Sequence, residues 1–128
     1  MKVYFPLPLE TKQVSEKWHE VIGGFDAIVE EDGYEPVVVH VPHGFKTNFA
    51  SVPRIPFAYL LTGGVGNRPA VIHDFLYSAA THPRAWCDDV FLEGLHAFKK
   101  EIAAWKARIM YLAVRVAGWR FYGKTKGR

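Results

Sequence analysis

The chain has 128 residues, of which 49% are hydrophobic and 23% charged, and its formal net charge is +3. This length and composition predict one folded domain with a sizeable core and exclude a disordered chain. The single cysteine, Cys87, excludes an internal disulfide and favours a reducing compartment. Because no long run of cations is interleaved with stacking aromatics, nucleic acid is not an expected partner.

The two ends of the chain differ in composition from its middle. Residues 1–13 contain two prolines and little periodicity, so they are predicted to form an extended N-terminal arm, and residues 120–128 are predicted to form a basic C-terminal tail. The first residues lack the apolar core of a signal peptide, and charges interrupt the apolar stretch from Ile102 to Trp119. We therefore expect a single domain over 1–128 that is soluble, lacks a transmembrane segment and is made in a cytoplasm.

Two stretches of the N-terminal half have the patterns of β-strands. From Phe25 to Glu30 every second residue, beginning with Phe25, is apolar, and Val37 to Val41 is rich in β-branched residues. Gly33, between them, can take a positive φ, which favours a tight chain reversal. The pattern predicts a β-hairpin, with Trp18 to Ile22 as a third strand.

Three helical patterns follow in the C-terminal half. Helix A is predicted from Asn67, helix B from Asp88 to Lys99, and helix C from Ile102 to Gly118. Helix C carries two apolar stripes, which predict burial on two sides: Ile102, Trp105, Ile109, Leu112 and Val116 form the first, and Met110, Ala113, Val114 and Ala117 the second. The predicted fold class is α+β, a small antiparallel sheet packed against about three α-helices.

A polar segment lies at the junction of the two halves. The segment from Thr47 to Ser51 has the hydroxyl and amide groups of an ordered loop, and His73 with Asp74 follows inside helix A. Adjacent helical residues point about 100° apart, so these two side chains cannot both face one ligand in the manner of an i,i+4 pair. His73 lies beside the apolar stripe of helix A. This position predicts either a buried, hydrogen-bonded imidazole or an inward-facing ligand.

Asp88 and Asp89 precede the apolar run of helix B. One interpretation is N-capping at the positive end of the helix dipole. The other places Asp88 with His73 and Asp74 around a divalent metal such as zinc, manganese or magnesium, and the same three residues are the catalytic candidates. The candidate supports of this site are Thr47, Asn48, Ser51 and Tyr77.

Four motifs, in order, carry a family resemblance. They are Gly44 to Pro53, His73 to Tyr77, Cys87 to Phe91, and Met110 to Arg115. The chain resembles a phage and prophage family of unknown function over roughly residues 18–119. In that family the first motif reads Gly-Phe-x-Thr-Asp-Phe-Ala-Ser-x-Pro, the second His-Asp-x-Leu-Tyr and the third begins Ala-Asp. This chain departs from the family at Asn48, which replaces an Asp, and at Cys87, which replaces an Ala.

The resemblance implies a phage setting. It favours a virion-associated, and specifically tail-associated, structural or adaptor protein, made in the host cytoplasm and incorporated into the virion, with phage structural proteins or further copies of itself as partners. One alternative is a metal-dependent hydrolase acting on cell wall, and another is a small inhibitor of a host factor. Asn48 in place of a carboxylate removes one potential metal ligand, which favours the structural role.

Overall fold

The computed structural model describes residues 1–48 and 67–123, and it has the α+β arrangement that the sequence predicts. Six strands come first: β1 (Lys2–Tyr4), β2 (Thr11–Gln13), β3 (His19–Val21), β4 (Phe25–Glu30), β5 (Val37–Val41) and β6 (Lys46–Thr47). Three helices follow: α1 (Asn67–Ala79), α2 (Arg84–His96) and α3 (Ala104–Ala117), the last continued by a 3₁₀ turn, Gly118–Arg120. Of the helices described, none is both long and apolar enough to cross a membrane.

The β4–β5 hairpin is formed as predicted. The two strands pair antiparallel from Phe25 opposite Val41 to Val29 opposite Val37. The alternation along β4 buries Phe25, Ala27 and Val29, because successive side chains of a strand point to opposite faces. Gly33 has a φ of +83° in the connecting segment, a conformation that costs glycine little.

The other strands differ from the sequence prediction. Residues 1–13 supply two strands rather than an arm: β1 pairs with β4, and β2 pairs with β3. The third strand of the hairpin sheet is therefore β1, whereas β3 belongs to a second sheet of order β2-β3-β6. Strands of two or three residues carry almost no periodicity, so only their pairing partners reveal them.

The helix boundaries also shift. Helix α2 begins at Arg84, after Pro83, and the predicted start at Asp88 is wrong by about one turn. A helix start tolerates proline, which lacks a backbone N–H, because the first N–H groups of a helix have no intrahelical partner. Asp88 consequently lies inside α2, and the N-capping interpretation of this residue is wrong.

Helix α3 is buried on one side only. Its inward face is formed by Ala107, Met110 and Val114, which pack with Phe91 and Leu95 of α2. The first predicted stripe, except for Ile102, faces outward: Trp105, Ile109, Leu112 and Val116 are 49–76% exposed. The prediction of burial on two sides is thus wrong, because α2 covers only one face of the helix. Helix α1 contacts α2 and also strands β5 and β6, and its polar residues His73, Asp74 and Ser78 are buried.

Candidate functional site

Asp88 is the centre of a buried polar cluster. Its carboxylate is fully buried on α2, and Oδ1 accepts hydrogen bonds from His73 Nε2 at 2.7 Å and from the Tyr77 hydroxyl at 2.6 Å. His73 and Tyr77 are four residues apart on α1, which puts both side chains on the face that meets α2. An ionised carboxylate only accepts, so the Nε2 atom of His73 carries the shared proton.

Two arginines occupy the other oxygen of Asp88. Arg115 of α3 donates to Oδ2 at 2.8 Å, and Arg84 donates to the same atom at 3.4 Å from one turn earlier on α2. Arg84 also donates to the backbone carbonyls of Val114 and Arg115 at 3.2 Å each. The cluster therefore joins α1, α2 and α3. We call the five side chains of His73, Tyr77, Arg84, Asp88 and Arg115 the Asp88 cluster.

The ionisation of the cluster follows from its contacts. Burial alone would raise the pKa of Asp88, but hydrogen bonds from His73, Tyr77 and Arg115 hold that pKa below its usual value. Burial and the hydrogen bond to Asp88 raise the pKa of the Tyr77 hydroxyl. The hydrogen bond to Asp88 raises the pKa of Arg115. At neutral pH the site thus contains a carboxylate, a neutral phenol and two guanidinium groups.

Asp74 belongs to a different contact. It is buried on α1, and its Oδ2 accepts a hydrogen bond from Thr47 Oγ1 at 2.5 Å. Thr47 is itself buried, at the end of β6. This bond ties the second sheet to α1, while the neighbouring His73 points to α2. The structure therefore brings His73 together with Asp88 and separates Asp74 from both, in accord with the 100° turn between adjacent helical residues.

The remaining candidates have different positions. Tyr77, expected only to support the loop, is a full member of the Asp88 cluster. Asn48 directly follows β6, and Ser51 lies outside the described residues. The sequence prediction missed Arg84 and Arg115. Arg115 ends the fourth motif, Met110 to Arg115, and Arg84 precedes Asp88 by one helical turn, so each had a signal that pointed to it.

Within the two described ranges, no group of three or more His, Cys, Asp or Glu side chains is gathered in a way that could hold a metal ion. The physical reason is visible at Asp88, whose two oxygens face four side-chain donors. A metal that bound there would have to displace guanidinium groups from the carboxylate.

The residue that adjoins Asp88, Cys87, is fully buried, and burial raises the pKa of its thiol to about 12. This buried thiol with a raised pKa has the environment of a packed structural cysteine and not of a nucleophile.

The fold and the cluster define an α+β domain whose helices are joined through one buried carboxylate. A family model described as a protein of unknown function, DUF1353, matches residues 26–114, which include the β4–β5 hairpin except its first residue, Phe25, and four members of the Asp88 cluster. The chain belongs to the DUF1353 family. Comparisons with curated proteins and with solved structures found no match.

Proposed function

We propose that this chain is a virion-associated, tail-associated structural or adaptor protein of a phage or prophage. The observation that carries the proposal is the closure of the Asp88 cluster, in which both carboxylate oxygens are engaged by donors from three helices. The phage setting comes from the resemblance of its four motifs. On this proposal the polar residues hold the helices together, and the exposed surfaces meet the partners.

The energetics of the cluster support a structural role. Burying an ionised carboxylate is costly, and the cost is offset only where the geometry is good and every oxygen is hydrogen-bonded. Both oxygens of Asp88 are hydrogen-bonded, and three of the four bonds are 2.6–2.8 Å long, so removal of a donor leaves the buried carboxylate less well satisfied. Such a cluster specifies how three helices are placed relative to one another. A rigid arrangement of this kind is what an adaptor needs in order to present a defined surface.

The proposal is tested by measuring whether purified virions contain this chain. Virions would be purified from the phage or induced prophage that encodes the chain, and peptides of the chain would be quantified by mass spectrometry against a known tail protein. We expect a fixed number of copies per particle and defective tails when the gene is deleted. Absence from washed particles, with normal tails after deletion, would contradict the proposal.

A second candidate function is hydrolysis, and one observation favours it. The 2.7 Å bond between His73 and Asp88 is the arrangement in which a carboxylate orients an imidazole for general-base catalysis. In that role His73 would take a proton from the attacking water, and Asp88 would stay ionised and stabilise the imidazolium. Because Asp74 is held by Thr47, the described contacts support a metal-free general base better than a three-residue metal site.

His40 provides a matched control for the hydrolase candidate. Its Nδ1 lies 2.5 Å from Asp26 on the exposed face of the hairpin, so it is a histidine–aspartate pair outside the cluster. Hydrolysis of purified cell wall and of a short-chain ester would be measured for the wild type, His73→Gln and His40→Gln, each checked by circular dichroism. Turnover lost only in folded His73→Gln would support catalysis. A wild type without turnover, with or without added zinc, manganese or magnesium, would exclude it for these substrates.

A further inference from the structure

The outward face of α3 is an exposed apolar surface. Five large side chains form it, and we call it the α3 outer face: Trp105, Ile109, Leu112, Val116 and Trp119. Their spacing of three or four residues aligns them along one side of the helix and its 3₁₀ extension. Each is between 49% and 76% exposed, and large exposed apolar patches mark interaction surfaces.

The helix that carries this face has charges of one sign. Residues 104–120, which form α3 and its 3₁₀ extension, contain four Lys and Arg residues and no Asp or Glu. Lys106 and Arg108 flank the apolar stripe on its two sides, and the Lys106 ammonium lies 5.5 Å from the centre of the Trp105 ring. Arg115 is committed to Asp88, whereas Arg108 and Arg120 are exposed. The surface is therefore apolar along its middle and cationic along its edges.

This charge pattern selects among partners. A second copy bound through the same face would place cations against cations, because a two-fold interface brings each patch against itself. Nucleic acid would meet the cations but would leave the aliphatic Ile109, Leu112 and Val116 without a partner. An anionic lipid surface suits both the cationic edges and the apolar middle of the face. Its headgroups attract Lys and Arg, while the acyl boundary accepts apolar side chains. Tryptophan at each end of the stripe suits the interfacial depth, where its ring is partly solvated.

We propose that the α3 outer face docks on an anionic lipid bilayer, with the helix axis parallel to the membrane plane. Helix α3 has 14 residues, about 21 Å at 1.5 Å per residue, which is shorter than the roughly 30 Å hydrocarbon core. It therefore lies on the surface rather than crossing it. The buried face of α3 remains packed on α2, so docking requires no unfolding. The inference is independent of the adaptor role and of any catalytic role of His73.

The experiment is co-sedimentation of the full chain with vesicles of phosphatidylcholine alone or mixed with phosphatidylglycerol, followed by tryptophan fluorescence. We expect binding to the mixed vesicles only, a blue shift of the emission, and quenching by brominated acyl chains. Leu112→Gln with Val116→Gln should lower partitioning at least tenfold. The matched control is Val38→Gln, because Val38 is an exposed valine (61%) on strand β5 and should leave binding unchanged.

Charge variants test whether the cations beside the α3 outer face contribute to binding of the anionic lipid. Lys106→Gln with Arg108→Gln should weaken binding to the mixed vesicles roughly 25-fold, at about fivefold per cation. Lys12→Gln with Lys46→Gln removes the same charge from exposed strand positions and should have little effect. His73→Gln should bind like the wild type, which separates this test from those of the proposed function.

Three results would overturn the inference. The first is no binding to either vesicle. The second is binding that the α3 variants leave unchanged. The third is binding to soluble polyglutamate, or dimerisation in sedimentation velocity, that depends on Leu112 and Val116 while vesicle binding is absent. This last result would assign the face to an acidic protein or to a second copy.

Discussion

The Asp88 cluster and the α3 outer face invert the usual relation between polarity and burial. Asp88 and His73 are charged or polar and fully buried, whereas Trp105 and Val116 are apolar and 64% and 76% exposed. The same helix contributes to both regions, since Arg115 reaches inward to Asp88 one residue before Val116 points outward. The comparison teaches that α3 is held by a polar contact as well as by its buried apolar face, and that its outer apolar side remains exposed. Four predictions test how far this division holds.

The largest expected effect is the loss of the central carboxylate. Asp88→Ala removes the acceptor for four donors and leaves buried His73 and Tyr77 without it, so we expect a loss of about 3–5 kcal/mol in the free energy of unfolding. Urea denaturation followed by circular dichroism measures it. The neighbouring exposed Asp89 is the control, because Asp89→Ala should change the free energy of unfolding by less than about 0.5 kcal/mol. Equal effects of the two substitutions would refute the central role of Asp88.

The two faces of α3 can be compared directly. Met110 is 1% exposed and Leu112 is 52% exposed, two residues apart on one helix. Met110→Ala should lower the free energy of unfolding by about 2–5 kcal/mol, because it removes buried side-chain volume. Leu112→Ala should change it by less than about 0.5 kcal/mol. If Leu112→Ala were as destabilising as Met110→Ala, the outer face would be packed within the domain.

A smaller effect is expected where α3 ends against Tyr77. A Cβ at Gly118 would lie 2.6 Å from the Tyr77 hydroxyl, which donates to Asp88, although the φ of −67° at this position suits any residue. Gly118→Ala should therefore lower the free energy of unfolding by about 1–3 kcal/mol through the clash alone. In a double-mutant cycle with Tyr77→Phe, which removes the clashing oxygen, the two costs should be less than additive. Strict additivity would show that the two residues do not meet.

The subtlest prediction concerns pH. The lowered pKa of Asp88 means that the folded state binds this proton less readily than the unfolded state. Its contribution to stability is therefore complete above the unfolded pKa of about 3.9 and is lost as the pH falls through the folded value. Asp88→Asn should flatten the acid decline in the free energy of unfolding, and Asp89→Asn should preserve it. An unchanged acid profile in Asp88→Asn would assign the decline to other carboxylates.

Much of the fold could be predicted from local pattern. The alternation along β4, the β-branched run of β5 and the glycine between them are sufficient for a hairpin, because a strand with one buried face needs a period of two. The inward orientation of His73 was also predicted, from its place beside an apolar stripe. The β1 and β2 pairings and the start of α2 were not predictable. Three-residue strands are too short for a repeat, and the first turn of α2, which begins at Arg84, precedes the apolar run of the helix.

The candidate site shows the same division. The residue types of the site were visible in the sequence, since His73, Tyr77 and Asp88 all lie in the motifs that carry the resemblance. Their partners were not visible, because the contacts of Asp88 with His73 and Arg115 join residues 15 and 27 positions apart in the chain. The grouping of Asp74 with His73 and Asp88 followed from proximity in sequence, whereas helix geometry turns Asp74 towards Thr47.

The sequence by itself determined the α+β class, the hairpin and the identity of the polar residues, because these depend on side-chain chemistry and on periods of 2 and 3.6 residues. Only the tertiary structure decided which stripe of α3 is buried. Both stripes are apolar enough to be buried, but α2 covers one of them, and the bonds from Arg84 and Arg115 link that end of α3 to α2. Burial depends on which neighbouring element reaches a face, and that information lies outside any local window of the chain.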